Sequence, residues 1–171
     1  MAKRLTAYDY LIYLLSKREC SAHQLLQKLR EKGYEAQESE QALEICQSKN
    51  YQSDKRFAEV FVHDQALSRF GPQNIRQKLR QKGVSNEDIE QALEQAQVNW
   101  QHQAFALFIA KDFHNLDLKD PKVKAKVTRG MLSKGYEFAH LQYISQTLKT
   151  LQELNISPLE FIVEHDFTLP E

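Results

Sequence analysis

The sequence predicts an all-α protein of three tandem three-helix repeats in an elongated, curved array, followed by a short C-terminal capping helix. Three observations support this fold class. One block of sequence recurs at a fixed offset, helix-forming Leu, Gln, Lys, Glu and Ala dominate the composition, and only 5 Gly and 4 Pro occur in 171 residues. A fixed period of this kind is typical of repeat architectures, and so few turn residues disfavour a many-stranded sheet.

The internal repeat is visible in two pairs of matched segments. Residues 28–33 (Lys-Leu-Arg-Glu-Lys-Gly) recur as residues 78–83 (Lys-Leu-Arg-Gln-Lys-Gly), and residues 40–43 (Glu-Gln-Ala-Leu) recur as residues 90–93. Both pairs have an offset of 50, so they belong to one duplicated unit. A fainter third copy occurs at residues 131–135 (Met-Leu-Ser-Lys-Gly). We therefore place the first two repeats at residues 1–51 and 52–98, and the third repeat with the C-terminal capping helix at residues 99–171.

The first repeat shows the signals of three helices. Apolar residues recur at helical spacing over residues 7–15. Ser21 opens the second helix, and Gln24 three residues later completes a capping box. Gly33 ends this helix, because glycine readily adopts the left-handed conformation found at helix C-termini. A third helix follows and carries the apolar residues Ala42, Leu43, Ile45 and Cys46.

The second repeat shows similar signals. Asp54 is expected to cap its first helix, which ends before Gly71. Pro72 suits the first turn of the next helix, since its missing N–H group would have no partner there. Leu79 is expected to be buried in the core before Gly83 ends that helix.

The third repeat is less regular, and one further helix follows it. Its first helix is predicted from Trp100 to Phe113, and Asp120 with Pro121 opens the second. A longer third helix is predicted from about Phe138. Pro158 begins a short apolar helix, which we expect to cap the exposed face of the last repeat.

The cysteines and the N-terminal apolar stretch indicate the cellular compartment. Cys20 and Cys46 provide neither a disulfide framework nor a metal-ligand set, as is usual for reduced thiols in the cytosol. The apolar stretch over residues 7–15 is interrupted by Asp9 and is too short to span a bilayer. No small-residue cleavage site follows it. We therefore expect a cytoplasmic protein that does not interact with membranes. We also expect it to be a monomer.

Motifs for catalysis are missing from the sequence. It contains no glycine-rich phosphate loop, no nucleophile elbow and no metal-spaced cluster of His and Cys. We therefore expect no catalytic residue, no metal and no cofactor, and a binding protein in place of an enzyme. The aromatic residues Trp100, Phe105, Phe108 and Phe113 could form a platform for stacking bases, but their helical spacing favours core packing.

Charge alternates along the chain although 23 basic and 23 acidic residues cancel overall. The net charge is +4 over residues 1–33, −3 over 34–53, +4 over 54–83, −4 over 84–98, +4 over 99–136 and −5 over 137–171. The basic charge is concentrated on the second helix of each repeat. The candidate binding residues are Lys28, Arg30, Lys32, Arg76, Lys78, Arg80, Lys82, Lys122, Lys124, Lys126 and Arg129.

These residues would form one basic stripe if the repeats stack in register. A stripe of this kind suits a polyanion or a long acidic groove. The alternative is a set of solvated helix faces, joined by exposed ion pairs that each contribute little to stability.

Parts of the first two repeats resemble a known protein family. Residues 50–58 (Asn-Tyr-Gln-Ser-Asp-Lys-Arg-Phe-Ala) and residues 70–84, with a Gly-Pro break and a Leu-x-x-Lys-Gly helix end, are similar to the middle repeat of the bacterial RecX regulatory family. Residues 21–25 and the Lys-Gly pair at 32–33 are similar to its first repeat. The resemblance covers roughly residues 7–150. The departures from the family pattern are Asn50 for glycine, Gln52 for leucine and Ser53 for aspartate.

The resemblance implies a modulator of the RecA recombinase, with a role in DNA recombination, DNA repair and the SOS response. Members of the family bind the RecA–DNA filament along its helical groove and limit its ATPase, strand-exchange and coprotease activities. None of their residues acts as a catalyst. Two other functions stay open: a sequence-tolerant DNA-binding protein with helix-turn-helix-like repeats, and an inert scaffold.

Overall fold

A computed structural model of the protein describes residues 5–164. In that range it contains ten α-helices, one short 3-10 segment and no strand, which confirms the all-α prediction. The first repeat contains α1 (Ala7–Leu15), α2 (Ala22–Glu31) and α3 (Ala36–Ser48). The second contains α4 (Asp54–Leu67), α5 (Pro72–Gln81) and α6 (Asn86–Gln95). The third contains α7 (Trp100–Ala110), α8 (Pro121–Ser133) and α9 (Phe138–Glu153), and α10 (Pro158–Glu164) follows.

The caps predicted for two of the second helices are confirmed. Ser21 Oγ accepts a hydrogen bond from Gln24 N at 3.2 Å, and Gln24 Oε1 accepts one from Ser21 N at 3.2 Å. Asp120 Oδ1 accepts from Lys122 N at 2.8 Å, with Pro121 in the first helical position. Because the first N–H groups of a helix have no partner within the helix, these bonds fix where α2 and α8 begin.

Asp54 does not cap α4, contrary to expectation. The cap is Ser53, whose Oγ accepts a hydrogen bond from Arg56 N at 3.2 Å. Asp54 is the first residue of α4, and its Oδ1 instead accepts from Ala22 N at 2.8 Å and from Gln52 Nε2 at 2.7 Å. Since Ala22 is the first residue of α2, Asp54 caps a helix of the preceding repeat.

The first helix of the third repeat is shorter than predicted. It ends at Ala110, and Asp112 has a positive φ of 53°, which a continuing helix does not allow. The chain then forms a single 3-10 turn, Phe113–Asn115. The Phe113 ring lies 5.8 Å from the Phe108 ring, edge to face, so Phe113 joins the core without belonging to the helix.

The helices form two compact units. Of the described residues, the first unit comprises 5–62 together with 78–95, and the second comprises 63–77 together with 96–164. Buried apolar residues of the first repeat include Leu11, Leu25, Leu29, Leu43 and Cys46. Those of the third repeat include Phe105, Phe108, Val127, Met131 and Ile144. The Phe161 ring of α10 packs edge to face on Phe105 at 5.7 Å, so α10 covers part of this core.

Several expected core positions are confirmed. Phe105 and Phe108 are 0% and 2% exposed, so they pack in the core and cannot serve as a platform for bases. Leu79 is fully buried. Cys20 and Cys46 are buried free thiols, and burial raises the pKa of the Cys46 thiol.

Residues 5–164 contain neither a membrane-spanning helix nor a metal-binding cluster. Neither the helices nor their apolar stretches in that range are long enough to cross a bilayer. In the same range, no cluster of three or more His, Cys, Asp or Glu side chains is arranged to hold a metal ion.

Candidate interaction surface

The basic residues of α2 and α5 occupy matching positions. Two buried residues four apart anchor each helix in the core, Leu25 and Leu29 in α2 and Ile75 and Leu79 in α5. Counted from the first anchor, the equivalent pairs are Lys28 with Lys78, Arg30 with Arg80, and Lys32 with Lys82. The duplication therefore gives both helices the same local arrangement of positive charge.

The basic residues of α8 are placed differently. Its buried anchors are Val127 and Met131, and the predicted residues lie at other positions relative to them: Lys122, Lys124, Lys126 and Arg129. Lys134 is the residue equivalent to Lys32 and Lys82, and the sequence analysis missed it. The Lys-Gly pair that it forms with the next residue was the signal that could have identified it.

The predicted residues also differ in exposure. The exposed side chains are Arg30, Lys32, Arg80, Lys122, Lys124, Lys126 and Arg129. The half-buried ones are Lys28, Arg76, Lys78 and Lys82. All four predicted residues of α8 are therefore open to a partner, whereas most of those on α5 are partly covered by the protein itself.

Two residues near the end of α5 already make contacts within the protein. Arg80 Nε donates a hydrogen bond to Asn86 Oδ1 at 2.9 Å, and this bond is exposed. Lys82 Nζ lies 5.4 Å from the centroid of the half-buried Phe61 ring. An exposed polar contact contributes little to stability, so Arg80 can exchange it for a contact with a partner. Lys82 covers an aromatic ring and is more closely tied to the fold.

The basic residues of α8 lie on two faces of the helix. Lys122, Lys126 and Arg129 are separated by four and three residues, so they share one face. Lys124 lies on the other side, where it lines a groove between α8 and α9. The basic residues predicted on α8 therefore do not form one continuous surface.

The end of α5 contacts the start of α2 within the first unit. Ser21 Oγ donates a hydrogen bond to the carbonyl oxygen of Lys82 at 2.6 Å. Gly83 has a positive φ of 78°, and a Cβ added to it would lie 2.6 Å from His23 Cβ. A close contact of this kind leaves no room for a side chain at residue 83.

A similar junction joins the end of α8 to the start of α5 within the second unit. Gly71 N donates a hydrogen bond to Lys134 O at 2.7 Å, and Gln73 N donates one to Gly135 O at 3.1 Å. In both junctions, the carbonyl of the lysine before the glycine accepts a bond from the start of the preceding repeat's second helix. The second helices therefore carry the basic residues and also take part in contacts between repeats.

Tyr136 and His140 lie next to the second junction. Tyr136 is buried, its hydroxyl donates to Arg69 O at 3.2 Å, and burial raises the pKa of this hydroxyl above its usual range. His140 Nδ1 accepts a hydrogen bond from Glu137 N at 2.9 Å, and burial lowers the pKa of the imidazole. His140 is therefore neutral at pH 7 and completes the N-terminal cap of α9.

Three-helix units whose second helices contact the neighbouring repeat define a tandem helical-repeat protein. Family models match its first two three-helix repeats. The model described as "RecX, first three-helix domain" matches residues 7–46, and the model described as "RecX, second three-helix domain" matches residues 53–93.

Similar proteins cover most of the chain. Regulatory protein RecX of Pasteurella multocida (strain Pm70) is 39% identical over 145 residues, which are 82% of this chain and 87% of the relative. Regulatory protein RecX of Haemophilus influenzae (strain PittGG) is 41% identical over 140 residues, or 79% of this chain and 91% of the relative. The chain belongs to the RecX family of regulatory proteins.

Solved structures show the same fold. A crystal structure of regulatory protein RecX superposes with a TM-score of 0.72 at 25% identity, covering 82% of this chain and 70% of that chain. The crystal structure of RecX from Lactobacillus salivarius superposes with a TM-score of 0.73 at 20% identity, covering 84% of this chain and 95% of that chain.

Proposed function

We propose that this protein binds the RecA recombinase on DNA and inhibits the recombination, ATPase and coprotease activities of the filament. The observation that carries the proposal is membership of the RecX family, at 39–41% identity over about four fifths of the chain. The link to RecA is what the resemblance to this family implies. The protein acts as a monomer in the cytoplasm, without a metal, a cofactor or a catalytic step of its own.

The repeated arrangement of basic residues supports this proposal. The matching sets on α2 and α5 present similar charge at intervals along one chain. A filament of identical subunits also presents the same surface repeatedly. When several weak contacts are linked in one molecule, the later ones form at a high effective concentration, so the total affinity exceeds that of each contact.

Direct DNA binding is the second candidate function. Lys122, Lys126 and Arg129 place three exposed cations on one face of α8. Side chains of this kind can contact phosphate groups, and such contacts do not depend on the base sequence. On this alternative the protein would bind free DNA as well as it binds the filament, and its affinity would fall steeply with salt.

A pull-down on immobilised single-stranded DNA separates the two candidates. We expect the protein to be retained at least about tenfold more strongly by DNA coated with RecA in a non-hydrolysable ATP analogue than by naked DNA, a difference of about 1.4 kcal/mol. Equal retention by both would support the DNA-binding alternative and contradict our proposal.

A charge-reversed variant tests whether α5 takes part. Arg76 and Arg80 are four residues apart and share a face, so Arg76→Glu/Arg80→Glu should weaken retention on the filament by about tenfold or more. The matched control is Lys55→Glu/Lys111→Glu, which changes the charge equally at two exposed sites outside the second helices. If both variants weaken retention equally, α5 has no specific role in filament binding.

A further inference from the structure

A groove lies between α8 and α9 in the second unit and is not explained by the proposed function. It has a volume of about 420 Å³, which is within the range of protein sites that hold ligands. The apolar residues that line it are Phe108, Leu118, Val127, Leu141, Ile144 and Leu148. An open apolar groove of this size suits a partner that buries apolar side chains in it.

The groove has the shape of a site for a helix. The residues that α9 contributes include Leu141, Ser145, Leu148 and Gln152, which are four, three and four residues apart and therefore form one stripe. Leu141 and Gln152 are eleven positions apart, which corresponds to a helix length of about 16 Å. This length accommodates the apolar residues of an amphipathic helix, which recur at i, i+3 or i+4, and i+7.

The edges of the groove are positively charged. Lys119, Lys124 and Lys149 line it and are exposed, and among the residues whose side chains the structure describes no carboxylate lines it. Lys149 Nζ lies 3.8 Å from Glu153 Oε1, and an exposed ion pair at this distance contributes little to stability. The charge of the groove is therefore available to acidic groups of a partner.

The corresponding cleft of the first repeat lacks these properties. The cleft between α2 and α3 has a volume of about 230 Å³, and its lining includes Glu40 together with Arg30. α8 also packs less extensively against α9 than α2 packs against α3. The wide, lysine-lined groove of the third repeat therefore differs from the matching cleft of the first repeat.

We propose that this groove binds an acidic amphipathic helix of a partner protein. Leucine or phenylalanine side chains on one face of that helix would occupy the apolar floor, and carboxylates at its borders would meet the three lysines. Burial of apolar area supplies most of the affinity, whereas the charges set orientation and speed association. The proposal is independent of the proposed function, because α2 and α5 do not form the groove.

Designed peptides provide the probe for this site. The first is a fluorescein-labelled peptide of about 16 residues with leucines along one helical stripe and glutamates beside them. One control peptide has lysine in place of each glutamate, and the other has glutamine in place of each leucine. Fluorescence anisotropy with the full chain should show binding of the first peptide at least about tenfold tighter than of either control.

Two triple variants on the basic residues locate the binding. The first variant, Lys119→Glu/Lys124→Glu/Lys149→Glu, reverses the charge of the groove. It should lower the affinity for the acidic peptide by about tenfold or more. The second variant, Lys122→Glu/Lys126→Glu/Arg129→Glu, makes a matched change of charge on the other face of α8. It should alter the affinity for the acidic peptide by less than about threefold.

A third variant fills the groove without changing its charge. Ser145 is exposed on the groove stripe of α9, so Ser145→Trp should weaken binding of the acidic peptide by about tenfold or more. Thermal unfolding of each variant verifies that the fold is retained. Any one of three results would overturn the proposal. These are equal losses of peptide affinity in the two triple variants, undiminished binding of the acidic peptide by Ser145→Trp, and binding of the control peptides as tight as that of the acidic peptide.

Discussion

Asp54 and Gln52 form a small polar network between the first two repeats. Gln52 is only 2% exposed, although the family pattern has leucine at this position. Its Nε2 donates to Cys20 O at 3.2 Å and to Asp54 Oδ1 at 2.7 Å, and its Oε1 accepts from Gln47 Nε2 at 2.9 Å. Because a buried polar group without partners is costly, these bonds explain how the amide is tolerated in place of leucine.

Loss of the Asp54 carboxylate should destabilise the protein. We expect Asp54→Ala to lower the free energy of unfolding by about 1–2 kcal/mol, since the N–H of Ala22 and the Gln52 amide lose their acceptor. The measurement is urea-induced unfolding followed by circular dichroism. The control Asp64→Ala, at an exposed site on the same helix, should change stability by less than about 0.5 kcal/mol. If the two variants lose the same amount, the contact to α2 does not contribute.

Asn50 shows why another departure from the family pattern is tolerated. Its φ is 56°, in the left-handed region that glycine occupies easily. Asparagine is among the few other residues that adopt this region at low cost. Asn50 also accepts hydrogen bonds from Arg56 Nη1 through its main-chain oxygen and its Oδ1, each at 3.3 Å. The turn before α4 is therefore retained without a glycine.

His140 should make stability depend on pH. Burial, partly opposed by the nearby Glu137, lowers the pKa of His140 in the folded state below its ordinary value of 6.5. Below about pH 6.5 the unfolded chain therefore binds a proton that the folded protein does not bind, and stability falls with decreasing pH.

Chemical denaturation between about pH 7.5 and pH 5 measures this effect. The stability advantage of the natural protein over His140→Gln should shrink as the pH falls, because only the natural protein loses the contribution of this imidazole. The Tyr136 ring, 5.6 Å away, does not titrate in this range. An advantage that stays constant or grows on acidification would show that His140 is not held in its neutral form.

At the scale of elements, the junctions depend on close approaches of the backbone. A Cβ added to Gly71 would lie 2.5 Å from both the carbonyl carbon and the oxygen of Gly135. Atoms cannot approach so closely, and the obstacle is backbone and cannot rotate away. Glycine at this position therefore permits the hydrogen bond from Gly71 N to Lys134 O.

Two glycine-to-alanine substitutions should have opposite effects. Gly71→Ala should destabilise the protein by about 1–3 kcal/mol, because the added methyl group must push the junction apart. Gly130 lies within α8, and a Cβ there would meet Phe113 Cζ at an ordinary 3.4 Å. Gly130→Ala should therefore stabilise the protein by about 0.5–1 kcal/mol, as expected inside a helix. Thermal or urea unfolding of both variants tests the prediction, and a shared sign of the change would contradict it.

Local signals allowed most elements to be predicted. The capping residues Ser21 and Asp120 mark helix starts through bonds to residues three or fewer positions away, which a sequence shows directly. The bond from Ala22 N to Asp54 joins residues that are far apart in the chain, so a local pattern could not predict it. The end of α7 was missed because Phe113 continues the apolar pattern after the helix has ended.

The candidate surface was less predictable than the helices. The net charge of each block of sequence identifies which helices are basic. It does not show where each basic residue lies relative to the buried residues of its helix. Only alignment on the buried anchors, such as Leu79 and Met131, separates the matched residues of α2 and α5 from those of α8. The groove that Lys124 lines depends on the distance between α8 and α9, which the sequence does not specify. The single binding stripe therefore stays a prediction.

At the scale of the whole molecule, the repeats give the chain equivalent features at intervals. The first two repeats carry equivalent basic residues, and each junction uses the lysine-glycine pair that follows a second helix. This organisation allows several weak contacts with a partner that is itself repetitive. The RecA filament, which we propose as the partner, is repetitive in this way, and the proposed inhibition should depend on binding to it.

The rate of ATP hydrolysis by preformed RecA filaments on single-stranded DNA tests this central claim most directly. Titration of the purified protein should lower the rate progressively, and Arg76→Glu/Arg80→Glu should require about tenfold more protein for the same inhibition. Lys55→Glu/Lys111→Glu should behave like the natural protein. A hydrolysis rate that stays unchanged up to a large molar excess of correctly folded protein would contradict the account.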